Sequence, residues 1–199
     1  MSQPFAAITF TPSVRAAQER DGSRPAFARA YDHAGEPERP QLGAREAEFI
    51  AAQRSFYMAT VSETGWPYVQ HRGGPPGFLQ VVDAHTLAFA DYAGNRQMVT
   101  VGNAAVNDRV ALILVDYAHA RRLKLLGHVS ILETEPDEMN PAAPVAPGAR
   151  VQRTMRIDVA AFDWNCPQHI PRRFEAADVE RALQERDDEI ERLRALLKA

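Results

Sequence analysis

The chain has 199 residues, and its 26 acidic against 23 basic side chains leave a net charge of −3, which argues against a nucleic-acid binder with its usual basic excess. Its 45% hydrophobic and 25% charged content is that of a soluble globular protein, one domain with appendages rather than two full domains. No apolar run approaches the roughly 18 residues of a membrane span. The lone Cys166 excludes an internal disulfide and fits a reducing compartment. The segment Met1-Ser2-Gln3-Pro4-Phe5 lacks the basic-then-apolar order of a signal peptide, so a cytoplasmic protein is expected, with neither membrane nor nucleic acid as partner.

Residues 1–44 are rich in Pro, Gly, Arg and Glu. A helix is predicted over 14–20 with Ser13 as its cap, and residues 32–43 read as a loop lying over the body. A second helix is expected over 45–53, with Phe49 and Ile50 facing inward. Strands follow over 56–61, 67–72, 78–82 and 86–90, punctuated by turns at 62–65 and 83–85. A short helix is placed over 95–101. The run 109–115 is nearly all apolar, as in a strand covered on both faces. Residues 123–131 alternate, and 151–159 alternate in full, with Val151, Arg153, Met155, Ile157 and Val159 on one face. Residues 133–150 read as a surface excursion. Many short strands with tight turns and few helices indicate an antiparallel barrel, so the chain divides into 1–44, a central domain of 45–174, and a charged helix within 175–199.

The stretch Gly65-Trp66-Pro67-Tyr68-Val69-Gln70-His71-Arg72-Gly73-Gly74-Pro75-Pro76-Gly77-Phe78 carries the most information. It runs as a strand, then meets Gly and Pro residues that cannot continue a ladder. Gln70 and Arg72 share one face of that strand and His71 takes the other. A second polar turn, Asp91-Tyr92-Ala93-Gly94-Asn95-Arg96-Gln97, follows about 20 residues later. The two turns read as walls of one cofactor site. Asn95 as a helix cap, with the N–H groups behind it, favours an anion, and Arg96 adds a donor fork suited to phosphate. Arg121 and Arg122 can converge on the same place; the alternative is that all three arginines are solvated surface charges.

These segments, together with Asn107-Asp108-Arg109-Val110-Ala111-Leu112 and Arg121-Arg122-Leu123-Lys124-Leu125-Leu126-Gly127, resemble the FMN-binding split barrel of the pyridoxamine 5′-phosphate oxidase superfamily. The segment Asp163-Trp164-Asn165-Cys166-Pro167-Gln168-His169-Ile170 resembles an uncharacterised bacterial subgroup of it. The resemblance implies a mainly β (α+β) fold, a six- to eight-stranded antiparallel split β-barrel with peripheral helices and a long C-terminal helix. It implies FMN as cofactor and a homodimer with cofactor at the subunit interface. Gln70, His71 and Arg72 then line the flavin, Ala90 and Asp91 lie beside it, Asn95, Arg96 and Gln97 hold its phosphate, and Arg122 reaches the cofactor from the neighbouring subunit. Gln97 stands where the oxidases usually carry Lys, and Arg122 where they usually carry Gln. The true oxidases also end in a Trp-bearing segment and an Arg-x-His element that holds pyridoxal phosphate; the different segment here makes vitamin B6 an improbable substrate.

Trp164 and His169 are substrate-side candidates, the first for stacking and the second for hydrogen bonding or proton donation. The competing reading has Trp164 plugging the barrel end, with Cys166 as a small buried residue. The six His residues show no metal-ligand spacing, so no metal is expected, and no catalytic residue is assigned. In the terminal helix Val179, Leu183, Arg186, Ile190, Leu193 and Leu197 form a heptad seam interrupted by one Arg, read either as a dimer contact or as packing on the barrel. The expected function is an FMN-dependent oxidoreductase transferring hydride to or from a small molecule. Alternatives are a non-catalytic flavin binder for storage, sensing or electron relay, or a split barrel holding F420 or haem. A third class is a dimeric interaction protein built on the terminal helix.

Overall fold

The structure is a computed structural model that describes residues 1–32, 35, 37–133, 144–165 and 168–197, residue 165 by its backbone alone. Among the described residues seven strands form one antiparallel sheet: β1 (Ser55–Val61), β2 (Pro67–Gly73), β3 (Leu79–Asp83), β4 (Thr86–Tyr92), β5 (Arg109–Asp116), β6 (Arg121–Leu132) and β7 (Val151–Asn165). Their order is β2-β1-β5-β6-β7-β4-β3. The sheet curls into a split barrel, with β2 and β3 as the two edges that do not pair. Residues 74–78 join these edges. Gly74 is required there because a Cβ would lie 2.6 Å from the Phe78 side chain, and Gly77 takes φ +87°.

Alternation builds the core. Met58 of β1 pairs with Leu112 of β5, which pairs with Leu125 of β6; Leu87 and Phe89 of β4 pair with Ile157 and Met155 of β7. All these side chains are buried, each contributing about 1.5–3 kcal/mol relative to exposure. The longest ladder, β6 with β7, carries a bulge at Leu126/Gly127. Gly127 is needed there, since a Cβ would come within 2.5 Å of the Asp158 carbonyl oxygen.

Among the described residues there are six helices: α1 (Gln3–Thr9), α2 (Pro12–Asp21), α3 (Arg24–Tyr31), α4 (Ala44–Ala51), α5 (Val99–Val106) and α6 (Ala176–Leu196). The amino-terminal region therefore holds three helices where the sequence suggested one. The cap of α2 is Thr11, whose hydroxyl accepts the Val14 N–H at 3.4 Å, not Ser13, because Pro12 already occupies the first turn. Helix α1 buries Phe5 and Ala6 and joins β7 through Ser2, whose N–H donates to Asp163 at 3.0 Å. Phe10, Phe27 and Tyr31 pack edge-on and stacked between the first three helices. Before α4, Arg39 Nε donates to the Val159 carbonyl at 3.0 Å and Leu42 N–H to the Ala84 carbonyl at 2.7 Å. Helix α4 buries Phe49 and Ile50. Helix α5 is held to β1 by Asn103 Nδ2 donating to Thr60 Oγ1 at 2.9 Å, both buried. It begins at Val99, not Asn95, because Met98 before it adopts a left-handed conformation.

Candidate functional site

β2 carries its polar side chains to the open side of the barrel. Gln70 and Arg72 pair in register with Met58 and Phe56, whose side chains are buried, so both point inward as the alternation predicts. His71 points out, edge-on against Tyr57 at 5.4 Å between ring centres. Gln70 Oε1 accepts the Thr100 hydroxyl of α5 at 2.7 Å, which fixes its amide.

Arg72 forms an ion pair with Asp91 on β4. Arg153 on β7 approaches the other oxygen of the same carboxylate, Nε to Oδ2 3.5 Å. Asp91 is 7% exposed and Arg153 8%, so the carboxylate sits between two guanidiniums in a region nearly closed to water. Buried charges persist only when paired. Here two cations share one anion, and a positive charge is left over. Arg72 also lies over the Phe89 ring at 5.7 Å, and its buried Nε has no hydrogen-bond partner among the described residues, a costly state for a charged donor.

Gln70, Arg72, Asp91, Asn95, Arg96 and Gln97, all nominated from sequence, line one recess of about 70 Å³. The loop between β4 and α5 forms its rim. Asn95 does not cap a helix there; its Oδ1 accepts the Gln97 N–H at 3.2 Å and folds the loop on itself. Arg96 has φ +61° and Met98 φ +55°. Left-handed backbone in non-glycine residues costs of order 1–3 kcal/mol each and concentrates at ligand sites. Met98, Thr100 and Gln152 also line the recess, and Arg153 stands behind it; sequence reasoning gave none of these four a place in the site, while Tyr92, also in the lining, belongs to the second polar turn. Arg153 had a readable signal, being the one charge on the apolar face of β7.

The remaining candidates lie elsewhere in a single copy. Ala90 is buried within β4, opposite Thr154 of β7. Arg122 sits in β6 between Val115 and Asn165. Arg121 pairs with Asp116 at 2.9 Å and lies over Phe49 at 5.3 Å, so neither arginine lines the recess. Burial pushes the Asp116 carboxyl up, but hydrogen bonds from Arg121 and His119 outweigh it and hold it below the usual carboxylate range. Trp164 is engaged at the barrel end: its Nε1 donates to Glu46 Oε1 at 2.7 Å, Phe49 meets it edge-on at 4.7 Å, and Arg45 covers its ring at 4.2 Å. His169 is exposed with φ +64°, and Cys166 lies outside the described residues. Among the described residues no group of three His, Cys, Asp or Glu gathers as for a metal, and no helix is long and apolar enough to cross a membrane.

The sequence profile of the family described as pyridoxamine 5′-phosphate oxidase matches residues 42–163, a span that contains every residue of the recess. No protein of curated function matches the chain. Among solved structures it is similar to HupZ of Group A Streptococcus, at 14% identity over 66% of this chain and 98% of that one, TM-score 0.49. It is also similar to a putative pyridoxamine 5′-phosphate oxidase of Lactobacillus delbrueckii, at 18% identity over 62% and 93%, TM-score 0.46. A third likeness is to an FMN-binding protein of Syntrophomonas wolfei, at 9% identity over 60% and 87%, TM-score 0.41. These structural likenesses are distant and add no weight to the family match.

Proposed function

The chain belongs to the pyridoxamine 5′-phosphate oxidase family, and from that premise we propose that it binds FMN in the recess between β2, β4 and α5 and acts as an FMN-dependent oxidoreductase on a small organic molecule. The observation that carries this reading is the buried Arg72–Asp91–Arg153 group, with its surplus positive charge and its unmet Arg72 Nε. A phosphate monoester carries about −1.5 to −2 charges at neutral pH. The exposed Arg96 supplies one positive charge toward that phosphate, and the surplus charge of the buried group faces the polar edge of the ring.

In this reading Arg96, Gln97 and Asn95 hold the phosphate end. Gln70 and Arg72 meet the polar edge of the ring, with Asp91 keeping Arg72 in place and Ala90 leaving room beside it. Bound FMN supplies the hydride-accepting centre. Arg72, being permanently protonated, stabilises negative charge on whatever ring edge it meets and leaves proton transfer to the substrate or solvent. A recess of about 70 Å³ is far below the roughly 300–1,000 Å³ of small-molecule sites, so most of the cofactor needs a second wall. A homodimer supplies it. Tyr57 and Val69, 42% and 60% exposed, flank His71 on the outer face of β1 and β2, and a second copy seated there brings His71 into the interface and its own Arg122 toward the phosphate.

The test is titration of the purified protein with FMN and with riboflavin, followed by flavin fluorescence. One FMN binds per chain, riboflavin binds more weakly, and Arg96→Ala lowers FMN affinity about tenfold, or 1.4 kcal/mol, without changing riboflavin affinity. Failure to take up FMN, or equal affinity for both compounds, overturns the assignment. Bound FMN that no physiological donor reduces would make the protein a flavin-binding module without turnover.

A further inference from the structure

Helix α6 runs from Ala176 to Leu196 without one buried residue. Val179, Leu183, Ile190 and Leu193 on its seam are each at least 37% exposed, so the seam does not pack on the barrel. Most helical stability in proteins comes from packing of an amphipathic face, and among the described residues this face is left uncovered. We propose that the seam is covered by α6 of a second copy of this chain, running antiparallel in a two-stranded coiled coil.

Three features select that occupant and direction. The seam positions Val179, Leu183, Arg186, Ile190, Leu193 and Leu197 are spaced symmetrically about residue 188. A reversed copy therefore sets Val179 against Leu197, Leu183 against Leu193, and Arg186 against Ile190. A parallel copy instead places Arg186 against Arg186 in one apolar layer, two like charges in contact. Second, the flanking charges complement in the reversed direction: Glu180 faces Arg194 of the second copy at both ends. Third, the charges that would repel near the centre are already neutralised within each helix. Arg186 Nη2 donates to Asp187 at 2.6 Å and Arg192 Nη2 to Glu189 at 2.6 Å. Arg186 thus lays its aliphatic stem along the seam while its head sits at the rim. The other intrahelical bonds, Arg181 to Asp178 and Gln184 to Asp188, lie on the opposite face and leave the seam unobstructed.

This pairing stands apart from flavin binding, and its test reads neither flavin nor activity. In the full chain, Leu183→Asp with Ile190→Asp is expected to raise the self-association Kd at least tenfold in sedimentation equilibrium, with the thermal transition of the barrel unchanged. An unchanged Kd overturns the proposal. Direction is read from spin labels on Ala177→Cys in a Cys166→Ser background. The antiparallel pair separates the labels by about 33 Å along the axis, whereas a parallel pair holds them within about 20 Å; the shorter distance, or no dipolar coupling at concentrations that give dimers, overturns it. Pairing through the barrels alone does not produce the expected label distance.

Discussion

Arg72 and Asp91 pair across strands that are not neighbours. β2 is one edge of the sheet and β4 lies next to the other edge, so the ion pair spans the open side of the barrel. The same carboxylate also receives Arg153. Asp91→Asn leaves two guanidiniums facing each other without an anion. Breaking a buried pair in this way costs about 3–5 kcal/mol, and urea unfolding of the variant is expected to show a loss of that size. A loss below about 1 kcal/mol, the range of exposed ion pairs, would mean that water reaches the group.

Backbone strain at Arg96 separates stability from binding. Its φ of +61° suits glycine, and its side chain is exposed. Arg96→Gly is therefore expected to leave stability unchanged or raise it by up to about 1 kcal/mol, because relief of strain offsets the greater freedom of the unfolded chain. FMN affinity falls at least as far as in Arg96→Ala. Thermal unfolding and flavin titration of the same sample check both halves.

Gly127→Ala places a methyl 2.5 Å from the Asp158 carbonyl oxygen. That oxygen belongs to the paired strand and cannot swing away as a side-chain tip can. The variant is expected to lose stability at the upper end of the about 1–3 kcal/mol of overpacked cores, with the β6–β7 amides losing hydrogen-exchange protection first.

Acid weakens the barrel end through Asp116. The folded carboxyl titrates below its ordinary 3.8, so its contribution is complete above that value and is lost as pH falls through the lower folded value. Asp116→Asn is expected to flatten the acid limb of the stability profile below about pH 4 while leaving the slope near neutrality unchanged. Urea midpoints at several pH values give the comparison.

The strands were legible because alternation and turn chemistry coincide. Six of the seven sit within one or two residues of their expected bounds. β7 runs further, to Asn165, because Asp163 and Trp164 stood out as polar chemistry and hid the continuing extended backbone. Helices α1 and α3 were missed although Pro4 and Pro25 stand in their first turns, a start signal that short, weakly amphipathic helices do not reinforce. The start of α5 had no signal at all, since left-handed backbone at Met98 follows from tertiary packing and not from residue type. Six site candidates converge in one recess because β2 turns Gln70 and Arg72 inward, across the open side from Asp91 of β4 and the loop that carries Asn95, Arg96 and Gln97. His71 and Arg122 do not join it in one copy, because His71 alternates to the outer face of β2 beside Tyr57 and Arg122 lies in β6 between Val115 and Asn165.

The docking of α1 on β7 has a consequence for synthesis. Ser2 hydrogen-bonds to residues 162 and 163, so α1 is made well before the strand on which it docks. At about 5–20 residues per second, Phe5 and Ala6 remain uncovered on the nascent chain for on the order of ten seconds. Through that interval α1 has no native berth, so its docking comes no earlier than the synthesis of β7.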